Sequence, residues 1–223
     1  MFDPYTRKGR ILAAALGCAA NKRWADVTLL DIAESANVPI SELRDEFTTK
    51  TQLIAGLLRA IDEEVLKRAA KRTEGQEKRD RLFDIIMTRF DVLGPHKAAL
   101  KSIYASGAAD VSLAVPYLSS QHWMLEAAGI GTDGPAGTIK VAGLGMAYAW
   151  VFRTWLDDDD PGLAKTMAAL DRRLRRGERA LGSIEHLNAA VSRFAAGLGE
   201  LGRSVAGKRK KSNPPADPEV GQV

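Results

Sequence analysis

Four consecutive carboxylates, Asp157 to Asp160, are the densest group of side chains in this chain that could do chemistry. Such a run invites an oxygen-ligand metal site. It is followed, however, by Pro161 and by Leu163, Met167, Leu170 and Leu174 at helical spacing. Aspartates ahead of a helix accept its free N–H groups and complement its dipole, and Arg172, Arg173, Arg175 and Arg176 fall toward the opposite end, where cations are favoured. The run is read as a helix start, and no metal is expected. His96, His122 and His186 are far apart and have no ligand-spaced partners, and no Ser stands in a nucleophile-elbow setting. Cys18 is the only cysteine, so neither an internal disulfide nor a zinc cluster can form, and its apolar neighbours from Ile11 to Ala20 make it core. The loop GIGTDGPAG at 129–137 is Gly-rich but lacks the spacing and the preceding strand of a phosphate cradle. No catalytic residue, cofactor or enzymatic activity is expected.

Apolar binding is the chemistry that remains. The segment 138–156 carries almost no charge besides Lys140 and Arg153, and it presents Ile139, Val141, Leu144, Met146, Tyr148, Trp150, Val151, Phe152 and Trp155 nearly all round. A helix of that kind is buried on several sides: as the central core helix, as the wall of a ligand cavity, or as a dimer seam. Gly143 and Gly145 would let a second helix come close. Large aromatics and Met suit an adaptable apolar pocket, which makes Phe83, Met87, Phe90, Trp123, Tyr148, Phe152 and Trp155 the candidate ligand-lining residues.

The elements around these residues are helical throughout. A chain of 223 residues with 45% apolar content can bury an ordinary core, and the formal charge of +4 lies largely in the C-terminal tail. No apolar run reaches membrane-spanning length and MFDPYTRKGR lacks a signal peptide's apolar segment, so a cytoplasmic location is expected. Residues 5–20 form a first helix facing inward with Ile11, Leu12, Ala15 and Leu16, and Trp24 packs in the loop after it. A long helix from Lys50 buries Leu53, Ile54, Leu57, Leu58, Ile61 and Val65 and carries Asp62, Glu63, Glu64, Lys67 and Arg68 outside. The charged run 71–80 is a linker. Helix 81–93 ends at Gly94-Pro95, a helix follows at 96–106, and Pro116 kinks or restarts the helix within 111–128. A last helix, 184–206, has a heptad-like apolar stripe from Ile184 to Val205 and docks on a partner surface. The tail 207–223 is polar and Pro-rich, and is read as disordered.

The most informative stretch is TLLDIAESANVPISELRDEFTTKTQL, residues 28–53. Leu29, Ile32, Ala33 and Ala36 form one buried stripe and Leu43 with Phe47 the next. Thr28 caps the first helix with Asp31 in a capping box, Asn37 makes a tight turn, Pro39 opens the second helix, and Thr49 with Gln52 repeats the box ahead of Lys50. Two helices so short cannot bury their own faces, so the first helix completes a three-helix core. In Asp31-Ile32-Ala33-Glu34-Ser35-Ala36-Asn37-Val38, then Leu43 and Phe47, then Lys50 and Leu53, the sequence resembles the TetR family of bacterial regulators. The resemblance implies an all-α, TetR-like fold: a helix-turn-helix DNA-binding domain at 1–50 and a helical ligand-binding and dimerisation domain at 51–206, followed by the tail. By motif position it implies Ser41, Arg44 and Lys50 as DNA-facing residues and Arg7, Lys8 and Thr28 as phosphate contacts. The second helix departs from the family in carrying Glu42, Asp45 and Glu46, which oppose a phosphate backbone.

A second resemblance covers roughly residues 80–205. RLFDIIMTRFDVLGPHKAAL, Trp123 with the loop after it, and TWLDDDDPGLAKTMAALDRRL look like the TetR-derived lipid-binding family of ubiquinone biosynthesis. It implies an isoprenoid-like lipid and a peripheral membrane contact. Two functions are therefore expected in turn: a homodimeric regulator of palindromic DNA responding to an apolar small molecule or lipid, or an accessory lipid carrier without a DNA role.

Overall fold

The computed structural model describes residues 2–69, 75–107 and 111–180, and among them it is wholly helical. Helix α1 (Arg7–Asn21) is capped by Thr6, whose hydroxyl accepts from the amide of Gly9. Trp24 is buried in a short 3-10 turn, Trp24–Asp26. Helices α2 (Leu29–Ser35) and α3 (Ile40–Glu46) then lead into α4 (Lys50–Arg68). The expected capping box closes: Thr28 Oγ1 accepts from Asp31 N at 3.0 Å, and Asp31 Oδ2 accepts from Thr28 N at 2.8 Å. Asn37 takes a φ of 51°. That left-handed residue lets Val38 N reach Ala33 O and Asn37 N reach Glu34 O, both at 3.0 Å, which stops α2 in a Schellman turn. Pro39 stands one residue earlier than expected, as the residue before α3. At α4 only half of the second box forms, because Thr49 Oγ1 accepts from Gln52 N while Gln52 Oε1 turns to the amide of Thr48.

Helices α5 (Lys78–Leu93), α6 (Lys97–Ala105), α7 (Ala114–Ala127) and α8 (Gly134–Leu156) follow, and residues 164–180 are helical as α9. Lys78 to Asp80, read as linker, are the first turn of α5. Pro116 falls in the first turn of α7, so it begins that helix without kinking it. The final helix 184–206 and the tail lie outside the described residues.

Two apolar cores share α4. The first gathers Ile11, Leu12, Ala15, Trp24, Ile32, Leu43, Phe47, Leu53 and Leu57. It is not closed by α1 to α3 alone, since Ala99 and Ile103 of α6 complete it. The second takes Ile61 and Val65 from the far half of α4 with Leu82, Ile86, Phe90, Met124, Leu144, Tyr148, Val151, Trp155 and Leu170. Gly56 sits where the ring of Phe47 crosses α4, and a Cβ there would lie 2.7 Å from Phe47 Cε1. This close approach fixes α3 against α4. No described helix is long and apolar enough to cross a membrane.

Candidate nucleic-acid interface

Burial decides which side of α3 is free. Leu43 and the following Phe47 point into the first core, while Ser41, Arg44 and Asp45 are exposed and Ile40 keeps 48% of its surface. Positions 40, 41, 44 and 45 lie on one side of a helix. The remaining acids point elsewhere. Arg7, at the start of α1, donates from Nε and Nη2 to Glu46 Oε1 at 3.1 and 3.0 Å, and its Nη1 lies 3.6 Å from Glu42 Oε2. Glu42 and Glu46 are one turn apart and share this single guanidinium. The acidity of Glu42 and Glu46 is thus half neutralised and turned toward α1.

Other cations of this region are also engaged. Lys22 pairs with Asp31 at 3.0 Å and Arg23 with Asp26 at 2.8 Å. Lys50 does not project outward as the motif suggested. Its ammonium donates to the carbonyls of Trp24 and Val27, the latter at 2.8 Å, and lies 4.6 Å from the centre of the Trp24 ring. Burial holds its pKa below the ordinary lysine value. Lys50 therefore ties α4 to the turn before α2. Lys8 and Arg10 are exposed beside Arg7 and in no ion pair among the described residues. Thr28 spends its oxygen on the cap.

The candidate ligand-lining residues divide. Phe90 stacks on Tyr148 at 5.7 Å and on Trp155 at 5.4 Å, and Phe152 joins them at 6.0 and 5.5 Å. This aromatic ladder fills the second core, and Met87 packs at its edge. A groove of about 420 Å³ reaches Phe90 and Trp155 from outside between Asp91, Lys97 and the loop Asp158 to Leu163. Phe83 belongs to a different groove of about 590 Å³, between α5 and α9. Trp123 is 50% exposed, and its ring meets that of His122 at 5.3 Å.

Sequence spacing missed a buried polar cluster beside the ladder. Arg89, 1% exposed, donates to Asp62 of α4 and, at 3.0 Å, to the hydroxyl of Tyr148. Ser120 of α7 donates to the other oxygen of Asp62 at 2.6 Å. Asp62 is therefore inward, not on the outer face of α4, because it supplies the one carboxylate that Arg89 needs. The only available signal was a charged residue inside the apolar stripe of α5. The four aspartates each have work to do. Asp157 pairs with Lys101, Asp158 accepts from the amide and hydroxyl of Thr166, and Asp160 accepts from Gly162 N and Ala164 N; Asp159 lies 3.9 Å from Lys97. Asp158 and Asp160 cap the start of α9, which begins three residues later than Pro161.

Together these features define a helix-turn-helix head continuous with an aromatic-cored helical body. That architecture is the fold of TetR-type transcriptional regulators. The TetR transcriptional regulator from Nitrosomonas europaea aligns with 78% of this chain and 98% of its own at a TM-score of 0.62 and 23% identity. One from Rhodococcus sp. RHA1 aligns over 77% and 94% at 0.60 and 21% identity. A tetR-family regulator from Streptomyces coelicolor covers 92% and 98% at 0.57 and 16% identity. No protein-family model and no curated protein matches the sequence. The likeness of residues 80–205 to the lipid-binding family of ubiquinone biosynthesis finds no support, since the similar structures are transcriptional regulators aligned over nearly their whole lengths.

Proposed function

We propose that the protein is a transcription regulator that binds palindromic DNA as a homodimer through α2 and α3, with an apolar small molecule taken up by the body. The observation that carries this reading is the clamp of Arg7 on Glu42 and Glu46, which leaves Ser41 and Arg44 on the free side of α3. Without it, two carboxylates would stand against phosphate. Lys8 supplies a phosphate contact from the start of α1, while Arg7 acts by holding Glu42 and Glu46. Lys50 acts indirectly, by holding the turn that presents α2.

The apolar ligand is supported by the aromatic ladder of Phe90, Tyr148, Phe152 and Trp155 in the body. Coupling between ligand and DNA would run through α4, whose near half is packed in the head core and whose far half is tied by Asp62 to Arg89 and Ser120. An occupant that disturbs the Arg89 cluster alters the placement of α4, and so the separation of the two reading helices, which half-site spacing makes decisive. The test is a pull-down of sheared genomic DNA by the purified protein, followed by sequencing. Enrichment of an inverted repeat supports the reading, and uniform recovery of all fragments refutes it.

A further inference from the structure

Arg44 is the only cation on α3, is exposed, and enters no ion pair among the described residues, in a head where Arg7, Lys22 and Arg23 are all paired. Its neighbour on the same side is the exposed carboxylate of Asp45, and Ile40 lies one turn earlier. A side chain that merely anchors to phosphate gains nothing from an adjacent carboxylate, which the phosphate repels. The edge of a G·C pair in the major groove has the opposite character. Guanine offers two acceptors, O6 and N7, and its cytosine offers the N4 amino donor beside them. A guanidinium next to a carboxylate is complementary to that row of acceptor, acceptor and donor. Exposed Ile40 presents an apolar surface of the kind that meets a thymine methyl.

Building on the regulator reading above, we infer that Arg44 and Asp45 read one G·C pair in each half-site, Arg44 through guanine O6 and N7 and Asp45 through cytosine N4. The assignment makes α3 selective by bases and only weakly adhesive to DNA at large, because few head cations remain for phosphates.

Selection from a random duplex library with the full chain tests this. Wild type should enrich inverted repeats with an invariant guanine in each half, preferred about tenfold or more over other bases, as a bidentate arginine contact allows. Arg44→Ala should lose most of the guanine preference and keep only the weaker bias that Asp45 gives through cytosine N4, and Arg44→Ala/Asp45→Asn should accept all four bases at that position. In the selected duplex, 7-deazaguanine removes N7; it should weaken wild type but not Arg44→Ala. Thermal unfolding by circular dichroism should leave the exposed Arg44→Ala variant unchanged. A guanine preference that survives Arg44→Ala undiminished, or a selected site without an invariant G·C pair, overturns the assignment while leaving DNA binding intact. A wild type that selects no sequence overturns the regulator reading itself, and this one with it.

Discussion

Asp31 carries its load through one carboxylate, which accepts from the amide of Thr28 and from the ammonium of Lys22. The backbone bond from Thr28, and then the bond from Lys22, hold its pKa near about 2, against an ordinary 3.8. A folded-state value below the unfolded one means that the added stability is complete above about pH 4 and drains away as the pH falls toward 2. Urea midpoints should therefore drop between pH 4 and 2 more steeply for wild type than for Asp31→Asn, which cannot take up the proton. This cap was legible in the sequence because its partners lie three residues apart. The ion pair of Arg89 with Asp62 was not, because 27 residues separate the partners and periodicity says nothing of which charge finds which. Arg89→Met leaves Asp62 and the hydroxyl of Tyr148 without their cation. We expect it to lower the unfolding free energy by about 3 kcal/mol, as removal of one partner of a buried pair does. Urea denaturation measures it, and the Asp62→Asn/Arg89→Met double variant should regain part of the loss.

At the scale of elements, the start of α1 sets what α3 shows to a partner. Turn and cap chemistry announced α2, α3 and the start of α4, since Thr28, Asn37 and Thr49 act on their own backbone neighbourhood. The electrostatic sign of α3 could not be read in the same way. Its acidity looks prohibitive in a linear string, and only folding brings Arg7 to Glu46 across 39 residues. Lys50 was misplaced for a related reason: motif position gives its location, while the carbonyls of Trp24 and Val27 determine its direction. Two consequences follow for DNA binding measured by fluorescence anisotropy across a salt series. Glu46→Gln should raise affinity, because Arg7 then has one carboxylate to neutralise in place of two and the head carries less negative charge. Arg7→Ala should lower it by freeing Glu42 and Glu46. Because Arg7 acts through the clamp, the slope of log affinity against log salt should stay as in wild type; a phosphate contact would instead reduce that slope by about 0.9 for each copy.

For the whole molecule the open question is pairing, and α8 bears on it. Its apolar character all round pointed to burial on several sides, yet among the described residues one side is covered, with Leu144, Gly145, Tyr148, Val151 and Trp155 facing the second core. Gly145 does what was expected of it, with Tyr117 and Leu118 of α7 at 3.4 Å from where its Cβ would be, whereas no described residue comes within 4 Å of a Cβ at Gly143. The opposite side leaves Ile139, Met146 and Trp150 exposed by 51, 69 and 61%, with Ala142 and Ala149 exposed between them. Spacings of three and four residues align them along the helix, and Arg173 of α9 lies 4.7 Å over the Trp150 ring at the border of the strip. Composition could not reveal this, because core and interface positions draw on the same side chains and only the packed neighbours tell them apart. An apolar strip that no described element covers, on a long helix, is what a self-complementary dimer face requires, since an isologous contact sets the same residues against each other. Light scattering should therefore find wild type dimeric at micromolar concentration. Met146→Glu/Trp150→Glu should be monomeric with its helical circular dichroism unchanged, because both side chains already face solvent within one copy. That monomer should also lose most of its affinity for a two-half-site duplex while binding a single half-site as weakly as wild type does, for two reading helices act on one palindrome only when a shared interface fixes their distance.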